Sequence, residues 1–215
     1  MSTYDHPCPS PAVGECHEEA FRALAARVAG CRRCPSMEGR RRVLSEQNGR
    51  VDARVLFVAE APGRFGGERT GVPLSVDQSG RAFERLIAEA GLTRGKIFVT
   101  NAVLCNPRDT RGCNRRPNPA ELANCAVHLA GQLDLVAAPL VVTLGVIALR
   151  ALDRIAPHGL TLRDDVGRAV PWRGRTLVAL YHPGPQAMIH RPFARQVEDY
   201  RALGGLVRSL VPPTS

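Results

Sequence analysis

Four short apolar runs constrain the fold of this chain more than any other feature. Each run is five or six residues long and lacks the alternation of polar and apolar positions that marks a half-exposed strand. Such runs are typical of parallel strands that are covered on both faces. They occupy residues 54–59, 97–101, 140–144 and 176–180.

Helical patterns separate these runs. Residues 80–90 carry one apolar stripe, and Asn118-Pro-Ala-Glu121 combines an N-cap, a proline at the first helical position and a capping-box glutamate. Further helices are expected over residues 18–28, 146–152 and 193–210. Strands that alternate with helices predict an α/β fold, here a three-layer α/β/α sandwich with a central four-stranded parallel sheet.

Length and composition favour one domain. The chain has 215 residues, of which 44% are hydrophobic, enough for one sizeable core. Residues 1–17 are proline-rich without hydrophobic periodicity, so we expect a flexible tail followed by a single domain over 18–215. No run approaches the roughly 20 apolar residues of a membrane span, and no basic segment followed by an apolar one opens the chain. We expect a cytoplasmic monomer with no membrane attachment.

The charge is strongly basic, at +9, and Lys96 is the only lysine among the 29 basic residues. Such a balance suits a polyanionic partner. An arginine preference also follows from genome composition, so charge alone leaves nucleic-acid binding undecided.

The seven cysteines are an odd number and argue against a disulfide framework. Cys31-Arg-Arg-Cys34 is a C-x2-C element, Cys105 follows the second strand, and Cys125 lies on the helix capped by Asn118. Four thiolates from separate segments suit a cubane cluster or a tetrahedral zinc. The alternative is that these are scattered buried cysteines that bind no metal. His128 is a possible substitute ligand. We expect plain thiols at the remaining cysteines, which are Cys8, Cys16 and Cys113.

Ligands of open α/β sheets bind beyond the carboxyl ends of the strands. The loop after the first strand reads Ala59-Glu-Ala-Pro-Gly63 and continues to Gly66-Gly-Glu-Arg-Thr-Gly71. Its backbone amides suit a base edge or a phosphate, but it matches neither the dinucleotide fingerprint nor the P-loop. Asn101 ends the second strand, and His182-Pro-Gly-Pro185 follows the fourth.

Together these motifs resemble the uracil-DNA glycosylase superfamily over about residues 30–210. Ala59-Glu-Ala-Pro-Gly63 and Asn101 are similar to family 4, whereas Gly66-Gly-Glu-Arg-Thr-Gly71, Leu74-Ser-Val-Asp-Gln-Ser79 and the histidine motif are closer to family 5. The chain therefore looks like a mosaic of both.

The resemblance implies a four-iron, four-sulfur cluster on Cys31, Cys34, Cys105 and Cys125, with an architectural role. Two positions depart from the families. Leu74 stands where they place an aromatic that stacks on the base, which makes Phe65 the candidate replacement, and Gly184 replaces their usual serine.

The implied activity is hydrolysis of the N-glycosidic bond of uracil in DNA. Glu60 or Asp77 would orient water and stabilise the sugar cation, and His182 would donate to O2 of the departing base. Asn101 and the main chain at Ala61 would read the base. Four of these residues also have a purely structural interpretation. Glu60 could be a solvated carboxylate, Asp77 a helix cap, His182 a histidine with its hydrogen bonds satisfied, and Asn101 a side chain that ties down its loop.

DNA contacts are expected after the histidine motif, at Gln186, Met188 and Arg191, with Met188 as the apolar wedge. Arg32, Arg33 and the run Arg40-Arg-Arg42 are candidate phosphate contacts. Two alternatives stay open: a broader glycosylase acting on hypoxanthine or xanthine, and a catalytically silent DNA-binding protein. Because residues 108–118 hold no histidine, we predict turnover and not covalent capture of the sugar.

Overall fold

The computed structural model describes residues 13–210. Its sheet has the strand order β2-β1-β3-β5-β4, with β1 at Val55–Ala59, β2 at Ile97–Asn101, β3 at Leu140–Leu144, β4 at Ala169–Trp172 and β5 at Arg175–Leu180. The four strands predicted from the sequence are all present and mutually parallel.

A fifth strand corrects the prediction of four. β4 pairs antiparallel with β5 at the edge of the sheet. Only Trp172 of its four residues is buried, and Pro171 interrupts its pattern. Proline cannot donate to a strand ladder and argues against a strand in the sequence, and only an edge position such as that of β4 tolerates it, so the sequence pattern did not reveal this strand.

Helices cover both faces of the sheet, which confirms the three-layer architecture. On one face lie α1 (Val13–Ala29), α4 (Pro119–Leu135) and α5 (Val146–Asp153), packed on strand residues such as Leu56 and Phe98. On the other lie α3 (Gln78–Glu89) and α7 (Phe193–Leu210), packed on Val55 and Phe57. Successive strand residues therefore pack into the hydrophobic cores on opposite faces of the sheet, as a sheet covered on both faces requires.

Two short helices were not predicted, α2 (Gly67–Thr70) and α6 (Pro185–Met188), and each lies in a loop at the carboxyl edge of the sheet. The predicted capping box of α4 is present, formed by Asn118 and Glu121. Helix α3 is capped by Asp77, the role considered for this residue as the alternative to catalysis. None of the helices within residues 13–210 is long and apolar enough to cross a lipid bilayer.

The amino-terminal prediction needs two corrections. Helix α1 begins at Val13, five residues before the expected start, so the helix takes up the end of the supposed tail, whose residues 1–12 lie outside the described part. The prolines that suggested a tail all precede this start. Cys16, on the same helix, is disulfide-bonded and is not the plain thiol expected.

Candidate functional site

A cleft with a cavity of about 230 Å³ opens at the carboxyl edge of the sheet. Parallel register brings its parts together: Ala59 pairs with Asn101, so the residues that follow β1 and β2 start side by side. The loop after β5 and the start of α3 complete the walls. The lining residues that carry the argument are Glu60, Ala61, Leu74, Asp77, Asn101 and His182. Together with Gln186, which also lines the cleft, the structure thus gathers seven of the predicted site residues in one place.

Asn101 presents an unused hydrogen-bond donor to this cleft. The residue is 2% exposed, yet its Nδ2 atom has no hydrogen-bond partner within the described chain. A buried amide without a partner costs of the order of 1–3 kcal/mol, so such groups are rare unless a ligand satisfies them. The alternative role of Asn101, a side chain that ties down its own loop, would require a protein acceptor for this Nδ2.

His182 has a defined tautomer. Its Nδ1 accepts a 3.0 Å hydrogen bond from the main-chain N–H of Gly184, so the proton of the neutral ring sits on Nε2. Burial lowers the pKa of His182 to about 4, and the nearby charge of Asp77 only partly opposes this. At neutral pH the ring is therefore uncharged and offers an Nε2–H donor.

Two carboxylates face the same cleft in different states. Oδ1 of Asp77 accepts a 2.8 Å hydrogen bond from the Gly80 N–H, which caps α3. Its Oδ2 lies so close to Gly63 that a Cβ there would approach to 2.9 Å, so glycine is required. The Glu60 carboxylate accepts no hydrogen bond from the described residues; burial raises its pKa, and the charge of Arg116 opposes the rise. Asp77 is thus held rigidly, whereas Glu60 is available.

Leu74 reaches the cleft from a strained turn. Leu74 and Val76 have φ angles of 48° and 55°, a left-handed conformation that is unfavourable for branched side chains. The Arg94 guanidinium holds the turn by donating to the carbonyls of Pro73, at 3.0 Å, and Leu74, at 2.5 Å. Because this conformation persists against its cost, the surrounding contacts must specify it.

The structure also places residues in the cleft that the sequence did not single out. Ser79, Asn106, Asn114 and Arg115 all line it. Arg115 is bound bidentately by Glu121, at 2.6 and 2.8 Å, and Ser36 donates to the same carboxylate. The only signal for Asn106 and Arg115 was their place after a strand end, which many loop residues share.

Three predicted positions prove different. Phe65 is 59% exposed, lies beneath the Arg64 guanidinium and does not line the cleft, so it does not replace the stacking aromatic. Met188 is half-buried, whereas its neighbour Ile189 is 80% exposed. Arg191 pairs bidentately with the nearly buried Asp199, at 2.5 and 3.0 Å, and so ties its loop to α7 instead of reaching out. Gln186, the third predicted DNA contact, is exposed and lines the cleft.

A second, smaller cavity lies between α4 and the segment after α1. Its walls include all four predicted ligands, Cys31, Cys34, Cys105 and Cys125. Burial raises the thiol pKa of Cys105 to about 11 and of Cys125 to about 12. Within residues 13–210, no three cysteine, histidine or acidic side chains are grouped tightly enough for a single metal ion.

Hydrogen bonds hold this cysteine cavity. The Arg42 guanidinium donates to the Cys31 carbonyl, at 2.6 and 3.1 Å, so this arginine is used internally and does not serve as the expected phosphate contact. Asn124 Nδ2 lies 3.5 Å from Cys34 Sγ, and His128 Nε2 lies 3.4 Å from Cys31 Sγ. His128 therefore contacts one of the four cysteines and does not replace any of them.

The fold and this cleft define a member of the uracil-DNA glycosylase superfamily. A sequence model of the Uracil DNA glycosylase superfamily matches residues 46–203, and the chain belongs to this family. The type-4 uracil-DNA glycosylase of Saccharolobus solfataricus is 32% identical, over 83% of this chain and 82% of that protein. The type-5 enzyme of Thermus thermophilus is 31% identical, over 76% and 87%. The type-4 enzyme of Thermotoga maritima is 29% identical, over 77% and 82%. Relatives of both types confirm the predicted resemblance.

Proposed function

We propose that this chain is a uracil-DNA glycosylase that hydrolyses the N-glycosidic bond of uracil in DNA. We propose further that it is monofunctional, so that its product is an abasic site in an intact strand. The buried, unpartnered Nδ2 of Asn101 in the cleft is the observation that carries the proposal. Uracil offers an acceptor at O4 beside a donor at N3, and an asparagine amide complements both. Cytosine has a donor at the O4 position, so it would leave Asn101 Nδ2 facing another donor.

Base release needs stabilisation of the negative charge that develops on uracil. A neutral donor aimed at O2 supplies this without a proton transfer, and His182 Nε2–H meets the requirement. The hydrogen bond from the Gly184 N–H prevents the other tautomer, so the donor is oriented before the substrate binds.

The positive charge that develops on the deoxyribose requires a carboxylate. Asp77 supplies a fixed negative charge, because the Gly80 N–H holds one of its oxygens. Glu60 has no protein partner and a raised pKa, so it is the group that orients the attacking water and accepts its proton. Both residues are thus assigned, with different roles.

The same geometry favours simple hydrolysis over strand cleavage. A lyase step needs an amine to form a Schiff base with the sugar. Lys96 is the only lysine of the sequence, and it precedes β2, whereas the cleft lies beyond the carboxyl end of that strand. The position of this lysine supports an enzyme that stops at the abasic site.

A base inside the duplex is out of reach, so the nucleotide must leave the stack. Ile189, the most exposed large apolar side chain within residues 13–210, follows the histidine motif and is the wedge that fills the gap. The exposed Arg32, Arg33 and Arg116 supply phosphate contacts, and the enzyme acts as a monomer on DNA in the cytoplasm.

We assign a four-iron, four-sulfur cluster to Cys31, Cys34, Cys105 and Cys125. Four cysteines from three chain segments line one cavity, and the resemblance to the cluster-containing families favours a cluster over a single zinc ion at this place. When bound, the cluster supplies cross-linking of three chain segments, since this hydrolysis needs no electron. The chain itself holds the segments in place through Arg42 and Asn124.

The test uses a labelled duplex with one uracil opposite guanine, followed by alkali. The wild type should produce strand breaks only after alkali treatment, and Glu60→Gln, Asp77→Asn and His182→Ala should each lower the rate. Breaks without alkali would overturn the monofunctional assignment. Tight binding of the duplex without base release would instead support a silent DNA-binding protein.

A broader base range is the second candidate, and Leu74 favours it. An aliphatic side chain at this wall imposes less on ring size than a stacked aromatic does. The same assay with hypoxanthine or xanthine in place of uracil decides, because release at a comparable rate would show a deaminated-base glycosylase.

A further inference from the structure

Asn106 is a buried amide whose hydrogen-bonding atoms all have protein partners. It lies five residues beyond the end of β2, is 1% exposed and lines the cleft. Its Nδ2 donates to the Pro62 carbonyl at 2.5 Å and to Asn114 Oδ1 at 2.9 Å. Its Oδ1 accepts from Arg108 Nε at 2.8 Å. One side chain therefore joins the loop after β1 to the loop after β2.

The polarity of these partners permits only one orientation of the amide. The Pro62 carbonyl can only accept, and the Arg108 guanidinium can only donate. Arg108 is in turn paired with Glu68, and both side chains are largely buried. The ion pair thus fixes the guanidinium, and the guanidinium fixes the amide.

The contact acts on the backbone that faces the base. Pro62 stands between Ala61 and Gly63, and all three line the cleft. Asn114, held by Asn106, also accepts a 3.1 Å hydrogen bond from the Arg64 N–H, so the loop after β1 is tied at two points. A shift of this loop would change the main-chain groups at Ala61 without touching Asn101 or His182.

We propose that Asn106 is a positioning residue that sets the main chain of residues 61–63 for base recognition, and that the Glu68–Arg108 pair sets the orientation of Asn106. The inference rests on the proposed function, because it takes the cleft as the base pocket. It adds a determinant that supplies no contact to the reacting atoms and acts through the Pro62 carbonyl.

The experiment compares Asn106→Ala with Asn48→Ala. Asn48 is also a buried asparagine whose Nδ2 donates to a backbone carbonyl, that of Val99 at 2.8 Å, but it does not line the cleft. Three quantities are measured: the single-turnover rate of uracil release, the Ki of free uracil as an inhibitor, and the melting temperature. The affinity for an undamaged duplex is the fourth, as a measure of phosphate contacts.

For Asn106→Ala we expect a uracil Ki and a single-turnover rate that are each worse by about tenfold or more, because small misplacements of binding groups have effects of this size. The affinity for undamaged duplex should stay unchanged. Asn48→Ala should lose thermal stability while its Ki and rate remain those of the wild type. An Asn106→Ala enzyme with unchanged Ki would overturn the inference.

Arg108→Lys keeps the charge beside Glu68 but removes the Nε donor to Asn106. It therefore tests whether the Glu68–Arg108 pair orients Asn106, without leaving the Glu68 carboxylate unpaired. We expect the same changes in smaller size, and a wild-type Ki would refute the role of the pair. If Asn106→Ala does not fold, the uracil Ki of Arg108→Lys tests the inference in its place. A wild type that releases no uracil would instead contradict the proposed function itself.

Discussion

The main-chain N–H of Gly184 donates a 3.0 Å hydrogen bond to Nδ1 of His182 and thereby decides which ring nitrogen carries the proton. The turn is tight enough that a Cβ at position 184 would lie 2.8 Å from that nitrogen and 3.0 Å from Ser79 Oγ. Glycine at this position therefore serves the orientation of the histidine.

Gly184→Ala should displace the imidazole and lower the rate of uracil release by about tenfold to hundredfold, since a misaligned donor loses most of its effect. Single-turnover kinetics measure the loss. Gly95→Ala is the control, because a Cβ there meets no atom within 4 Å. Equal rates for the two variants would show that the turn tolerates a side chain.

The pH dependence of stability should report the buried histidine. The folded-state pKa of His182 is about 4, below the ordinary value of 6.5, so the unfolded chain binds a proton that the folded chain does not. Stability contributed by this group is complete above pH 6.5 and is lost as the pH falls from there towards 4. Denaturant unfolding of His182→Gln across this range should show a shallower pH slope than the wild type, and parallel slopes would contradict the assignment.

Glu121→Ala should destabilise the protein by about 1–3 kcal/mol, because it leaves Arg115, the Asn118 N–H and Ser36 without the carboxylate that accepts their hydrogen bonds. Burial by itself raises the pKa of Glu121, but hydrogen bonds from Arg115, Asn118 and Ser36 outweigh it and hold the pKa below its ordinary value. The stabilisation is therefore complete above that ordinary value and disappears as the pH falls through the lowered pKa. Urea unfolding at neutral and acidic pH checks both statements.

The matched control for this pair is Glu89→Ala, which removes an exposed ion pair with Arg201. An exposed pair contributes less than about 1 kcal/mol. A similar loss for both variants would mean that the Arg115–Glu121 contact has no special weight.

Ile189→Ala should slow base extrusion while leaving the affinity for undamaged duplex unchanged, since the wedge enters the stack as the nucleotide leaves it and makes no contact with closed duplex. A fluorescent base next to the uracil follows this step directly. Val127→Ala, which truncates an exposed apolar residue on α4 outside the cleft, provides the comparison. Slow extrusion in Met188→Ala but not in Ile189→Ala would return the wedge to Met188.

Cys125→Ser should abolish stoichiometric iron and sulfide in the purified protein, because Cys125 contributes one of the four sulfurs around the cysteine cavity. Cys113→Ser should keep both, since Cys113 is an exposed thiol away from that cavity. Iron and acid-labile sulfide assays give the answer without an activity measurement. Zinc in place of iron in the wild type would overturn the assignment of a cluster.

Much of the fold was predictable because its signals are local. The four parallel strands are mainly apolar, and the capping box of Asn118 and Glu121 lies within four residues, so each is visible in a short stretch of sequence. Strand β4 was missed because pairing with β5, and not its own pattern, makes Ala169–Trp172 a strand. Arg191 was misjudged because its partner, Asp199, lies on α7, and no local pattern marks the contact between them.

By itself the sequence determined the alternation of buried strands and amphipathic helices, and with it the edge at which Glu60, Asn101 and His182 meet. The apolar runs and the helices between them are enough to locate this edge, since parallel strands bring their carboxyl ends to one side of the sheet. Only the tertiary structure decided which groups are partnered there: that Asn101 Nδ2 is unused, that Gly184 sets the tautomer of His182, and that Asn106 joins two loops. Each of these facts depends on where the fold places hydrogen-bonding groups to within a few tenths of an ångström, and no sequence pattern encodes such distances.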